Sequence, residues 1–190
     1  MAERIQTFGD AERPTLVCED PDGVADPVLG FFLSYWQRKR RGDDVPLMAD
    51  FVPKEVRSNL RWVVLIDALP GYVDFRYRLV GSSVCEYFLG DGTGRTVREA
   101  FAGMDGLAEG IIDLCRRACV RGRPIRVTGP SDIANGVFFP PYDSLYLPYA
   151  TRGLEADRIV NTFVFNYGAI REKRPYTLAG LLTGPAARAN

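Results

Sequence analysis

The apolar positions of the chain change period along its length, from helical to alternating and back again. After Asp26-Pro27 the run "VLGFFLSYWQRKRRG" places Leu29, Phe32, Leu33 and Trp36 at i, i+3, i+4 and i+7. Asp can cap the free amides, Pro suits the first helical position and Gly42 marks a stop, so the pattern predicts an amphipathic helix over 26–41. Val28, Phe31 and Tyr35 widen its stripe beyond one face. The excess apolar surface is expected to meet a second subunit, through Leu29, Phe32, Leu33 and Trp36.

"DFVPKEVRSNL" (50–60) reads as a short helix leading into the β run "RWVVLIDAL" (61–69). Pro70-Gly71 is a turn. In "YVDFRYRLV" (72–80), Asp74, Arg76 and Arg78 point one way and Val73, Phe75, Tyr77 and Leu79 the other, which completes an antiparallel hairpin. A helical block follows. "SSVCEYFLG" (82–90) is a short helix capped by Ser82 or Ser83 and stopped by Gly90, with Val84, Tyr87 and Phe88 on one side. "RTVREAF" is a second short helix. "DGLAEGIIDLCRRACVRG" (105–122) is a longer one, with Leu107, Ile111, Leu114, Cys115, Ala118 and Cys119 as its buried stripe. Three strands close the pattern: "RPIRVTG" (123–129), "YDSLYLPYA" (142–150) and "DRIVNTFVFNY" (157–167). Between the first two lies a long loop with Phe138 and Phe139 exposed. Strands at both ends of a helical block predict an α+β fold, one antiparallel sheet with helices over a face. Residues 1–25 are expected to form a partly ordered arm in which "TLVC" can pair as a strand, 26–170 a single domain, and 171–190 a tail.

Composition then removes function classes. Lys plus Arg and Asp plus Glu each number 24 in 190 residues, so no net field draws the chain to nucleic acid or anionic lipid. Weak self-repulsion favours association, and a homodimer is expected. The chain contains no histidine, which excludes Ser-His-Asp and Cys-His catalysis, His-ligated haem and the usual His-containing zinc sites. No metal site is expected. Cys18, Cys85, Cys115 and Cys119 lack the C-x-x-C spacing and read as buried thiols. With no leader-like opening and no apolar run long enough to span a bilayer, a cytoplasmic location is expected, without membrane contact.

"LGDGTGRT" (89–96) resembles a phosphate cradle, but the spacing is wrong. A P-loop needs Gly-Lys where the chain has Gly94-Arg95, and a dinucleotide fingerprint needs G-x-G-x-x-G after a strand, not G-x-G-x-G after a helix. Tyr35 and Lys39 have the Tyr-x-x-x-Lys spacing of short-chain dehydrogenases without any nucleotide fingerprint. "RKRR" (38–41) reads as cations at a helix C-terminus, and Arg116, Arg117, Arg121, Arg123 and Arg126 as a solvated face. No acid–base constellation can be named, so an enzyme is not expected.

Three blocks carry a family resemblance: "YWQRKRRGDDVPLMADFVPKEVRSNLRWVVLIDAL", "FRYRLVGSSVCEYFLGDGTGR" and "YLPYATRGLEADRIVNTFVF". Over roughly residues 28–167 the chain resembles a PAS domain, and more closely a bacterial family of small stand-alone PAS-domain proteins. The resemblance implies a five-stranded antiparallel sheet of order 2-1-5-4-3, with helices on one face enclosing a cavity. It implies a sensory or regulatory module that binds a small molecule there and signals to an output partner through protein contacts. The alternative is a purely structural dimerisation or adaptor domain. No cofactor is identifiable. "VCEYFL" around Cys85 lacks the Asn, Arg and Gln of the flavin photosensor motif, which argues against flavin. The expected ligand residues are Tyr77, on the apolar face of its strand, and Asn161, in phase with Ile159, Phe163 and Phe165, together with Cys115 and Tyr146.

Overall fold

The computed structural model describes residues 24–86, 90–129 and 141–165 in full, and the backbone of four short strands outside them. Asp26 caps α1 (Pro27–Lys39), its carboxylate accepting from the amides of Val28 and Leu29 at 2.8 and 3.1 Å. The stretch from 50 to 60 holds no α-helix. Two 3₁₀ turns, Met48–Asp50 and Arg57–Trp62, take its place on either side of Pro53. The predicted hairpin is β3 (Val63–Ala68) and β4 (Phe75–Val80), joined through a 3₁₀ turn at Pro70–Tyr72.

The helical block is α2 (Ser82–Cys85), α3 (Val97–Ala100) and α4 (Asp105–Arg121). Neither Ser82 nor Ser83 caps α2, because Gly81 occupies the cap position. The Ser83 hydroxyl instead accepts from Arg61 Nε at 2.6 Å. α3 opens with a capping box in which Thr96 and Glu99 satisfy each other's amides. Gly122 ends α4 in the left-handed conformation that a side chain would strain. Then come β5 (Ile125–Gly129), β8 (Tyr142–Tyr149) and β9 (Arg158–Phe165). Between β5 and β8, where an irregular loop was expected, β6 (Asp132–Ala134) and β7 (Val137–Phe139) pair as a hairpin. The side chains of Phe138 and Phe139 lie outside the described residues, as do Tyr87, Phe88 and residues 171–190.

The five long strands run in the order β4-β3-β9-β8-β5, which by chain position is 2-1-5-4-3. At the β5 edge the sheet is extended by β2 (Val17–Glu19), which falls on the predicted "TLVC" segment, and then by β1 (Glu3–Arg4). Cross-strand partners share a face, so the registers sort every strand residue. One face carries Phe75 and Tyr77, Val64 and Ile66, Ile159, Asn161 and Phe163, Ser144 and Tyr146, and Ile125 and Val127. The opposite face carries Leu79, Val63 and Leu65, Val160 and Thr162, and Leu145, Leu147 and Tyr149. From Ser144 to Tyr149 in β8 and from Ile159 to Phe163 in β9 both faces are buried, so the centre of the sheet is covered on each side. α4 packs on the first, inner face and α1 on the second, outer one.

β4 departs from simple alternation. Leu65 lies opposite Leu79 and Ile66 opposite Tyr77, which leaves Arg78 as an extra residue in the ladder. The bulge reverses the phase beyond Tyr77. Leu79, expected on the apolar face, is 40 % exposed on the outer one, and Val80 turns inward.

Candidate functional site

The outer face is a docking surface for α1. Trp36 is buried, and its indole Nε1 donates to the Pro148 carbonyl at 2.7 Å. The Tyr35 hydroxyl donates to the Asp50 carbonyl and accepts from the Val52 amide, at 3.1 and 2.9 Å. The rings of Tyr35, Phe51 and Tyr149 meet edge to face in series. This corrects the expected dimer face: Leu29, Phe32 and Trp36 are at most 1 % exposed within a single chain. Of the four residues, Leu33 alone retains surface, together with the flanking Val28 and Phe31. The stripe is wide because the helix fills a concave seat against the sheet and the 48–52 segment.

The basic run after α1 is engaged within the chain. Lys39 pairs with Glu55 at 2.9 Å, Arg40 with Asp43 at 3.4 Å and Arg41 with Asp50 at 3.5 Å. On the outer face Arg126 grips Asp143 through Nε and Nη2, at 3.0 and 2.6 Å. Asp67 receives Arg158 and Arg78. Two outer-face hydroxyls, of Tyr149 and Thr162, are buried without a hydrogen-bond partner among the described residues.

The inner face is built differently. Tyr146 and Asn161 are direct cross-strand partners, Val64 of β3 pairs with Asn161, and Ile66, two residues on, pairs with Tyr77. All three predicted strand residues therefore share this face. Cys115, on α4, lies within electrostatic reach of the Tyr77 hydroxyl, which brings the fourth predicted residue to the same layer. Asn161 is buried, and its Nδ2 donates to the Leu145 carbonyl at 2.9 Å. Ser144 donates to the Val127 carbonyl at 3.3 Å. Burial pushes the Tyr77 phenol well above its ordinary value, yet the residue keeps part of its surface, and its hydroxyl has no hydrogen-bond partner among the described residues. The same burial holds Cys115 well above the usual thiol range and Cys119 up to about 12, so both are neutral thiols at physiological pH. At the far end Tyr142, Phe163 and Phe165 stack into an aromatic cluster, the Tyr142 ring filling the space that a side chain at Gly129 would need.

The sequence reading missed Asp74. Alternation grouped it with the solvent-facing Arg76 and Arg78, but it precedes the strand and is buried. Its Oδ1 accepts from the Phe75 amide at 2.7 Å, and its Oδ2 lies 3.5 Å from Arg98. Arg98 also donates to Val73 and Glu109, which ties α3 and α4 to the start of β4. The signal was Asp74's place just after the Pro70-Gly71 turn, where a carboxylate can take a free amide.

The glycine-rich stretch also has a structural part. The Gly94 amide donates to the Tyr77 carbonyl at 2.7 Å, and the Tyr77 amide donates to Arg95 at 2.9 Å. The segment thus covers the open edge of β4. Gly90 and Gly94 have φ of 87° and 86°, which favours glycine. A Cβ at Gly92 would stand 3.4 Å from the Tyr77 ring, so this loop closes over the tyrosine.

Among the described residues no group of His, Cys, Asp and Glu could hold a metal ion, and no helix is long and apolar enough to cross a membrane. No curated protein and no solved structure matches the chain. A family model described as PAS domain matches residues 26–138, from the cap of α1 through the β6–β7 hairpin. Strands β8 and β9 lie beyond that match and supply the centre of the 2-1-5-4-3 sheet. By that match, over more than half its length, and by that strand order, the chain belongs to the PAS domain family, whose members serve as sensory and regulatory modules.

Proposed function

We propose that this PAS domain senses a small organic molecule held between the inner face of its sheet and α4, and reports occupancy through protein–protein contacts. The observation that carries the proposal is Tyr77. The residue is half-buried, and its hydroxyl makes no hydrogen bond among the described residues and lies within electrostatic reach of Cys115, with Asn161 and Tyr146 on the same face. A hydroxyl that makes no hydrogen bond within the described residues keeps its donor and acceptor free for a ligand. The sensing unit spans 26–170, with 1–25 as an arm and 171–190 as a tail. It works as a homodimer in the cytoplasm and carries no catalytic residue of its own.

Native mass spectrometry on gently purified protein tests both parts. A mass above the bare chain that disappears on denaturation, carried by a dimer, is the expected result. A bare chain under all conditions would overturn the ligand. A second reading, a ligand-free dimerisation domain, draws on the half-buried Val28, Phe31 and Leu33 of α1 and the exposed Leu79. A bare dimer would favour it.

A further inference from the structure

The inner layer differs from the rest of the molecule in its charge. No Lys or Arg is buried among the described residues, and the only buried carboxylate is Asp74. The arginines nearest the layer turn outward. Arg98 reaches Asp74 from the surface, Arg116 donates to the Tyr72 carbonyl, and Arg117 pairs with Asp113.

Among the described residues, an anion placed between α4 and the sheet would therefore find no buried counter-ion. The nearest fixed charge to Tyr77 and Cys115 would be the Asp74 carboxylate, which is repulsive. An unpaired buried ion costs several kcal/mol. An uncharged donor or acceptor can instead meet the Tyr77 hydroxyl, and an apolar or aromatic body can meet Ile66, Ile112 and Phe163.

We infer that the inner-face site selects uncharged molecules, apolar or aromatic with one or two hydrogen-bonding groups, and rejects carboxylates and phosphates. This rests on the inner face being the ligand site. Three pairs matched in shape test it on the full chain at neutral pH: benzamide against benzoate, indole-3-carboxamide against indole-3-carboxylate, and hexanamide against hexanoate. Affinities are read by ligand-detected NMR. In at least one pair the amide should bind about tenfold or more tighter than its carboxylate. Tyr77→Phe should weaken that amide severalfold while leaving the thermal midpoint in place. A carboxylate that binds as tightly as its amide, in a way Tyr77→Phe alters, would overturn the charge selection and leave the site standing. Failure of all six probes at millimolar concentration would remove the site and the selection together.

Discussion

On the outer face of the sheet Arg126 holds Asp143 and Arg158 holds Asp67, and Trp36 closes a hydrogen bond to the strand backbone. On the inner face of the same strands the polar groups are uncharged, the phenols of Tyr77 and Tyr146, the Asn161 amide and the Ser144 hydroxyl, facing the thiols of α4, with no ion pair between strands among the described residues. The difference separates two tasks. On the outer face the ion pairs tie strand to strand and the hydrogen bonds of Tyr35 and Trp36 fix where α1 lies, and their loss should cost stability. Neutral polar groups on the inner face leave hydrogen-bonding capacity inside the fold, and their loss should cost recognition.

The sharpest break in the comparison is Trp36→Ala. Removing a fully buried indole that also bonds Pro148 should cost about 3–5 kcal/mol, measured by urea unfolding. A loss below about 1 kcal/mol would mean that α1 is not integral to the core. The buried thiol of Cys119 on α4 gives a pH signature of its own. Cys119 is raised from 9.0 to about 12, so the folded state keeps a proton that the unfolded chain releases above pH 9. That stabilisation is complete below about pH 9 and is lost as pH climbs toward 12, at up to about 1.4 kcal/mol per pH unit. The thermal midpoint should fall across this window in the wild type and fall less steeply in Cys119→Ala. With no histidine in the chain, it should stay nearly level from pH 6 to 8.

Smaller effects separate the two kinds of orphan hydroxyl. Thr162→Val removes a fully buried outer-face hydroxyl with no partner and keeps the side-chain shape, so it should stabilise the fold by about 1 kcal/mol without touching ligand binding. Tyr77→Phe should change stability by less than about 0.5 kcal/mol in the ligand-free protein, while weakening ligand binding. Equal behaviour of the two variants would erase the distinction between the faces.

Much of this was legible in the pattern of the chain. Period changes located α1, the hairpin, α4 and the three closing strands, because long amphipathic runs encode their own geometry. Strand phase put Tyr77 on the apolar side of its strand and Asn161 in phase with Ile159, Phe163 and Phe165, while the pairing register was needed to bring both, with Tyr146, to one face. Phase failed where the ladder gained a residue: the bulge at Arg78 turned Leu79 outward, and nothing in "RYRLV" announces it. The α1 stripe misled for another reason. Its width was real, but hydrophobicity does not say whether the covering surface belongs to the same chain, and here the 48–52 segment and β8 supply it. Asp74 was hidden by alternation carried one residue too far toward the turn.

Methyl-resolved NMR on the full chain, titrated with the amide probe that binds best, tests the division of the faces most directly. Ile66, Ile112 and Val127 report the inner layer; Leu145, Leu147 and Val160 report the outer. The inner methyls should shift first and furthest, while the outer set stays near its free positions. Shifts centred on Leu145, Leu147 and Val160, beneath α1, would contradict the account.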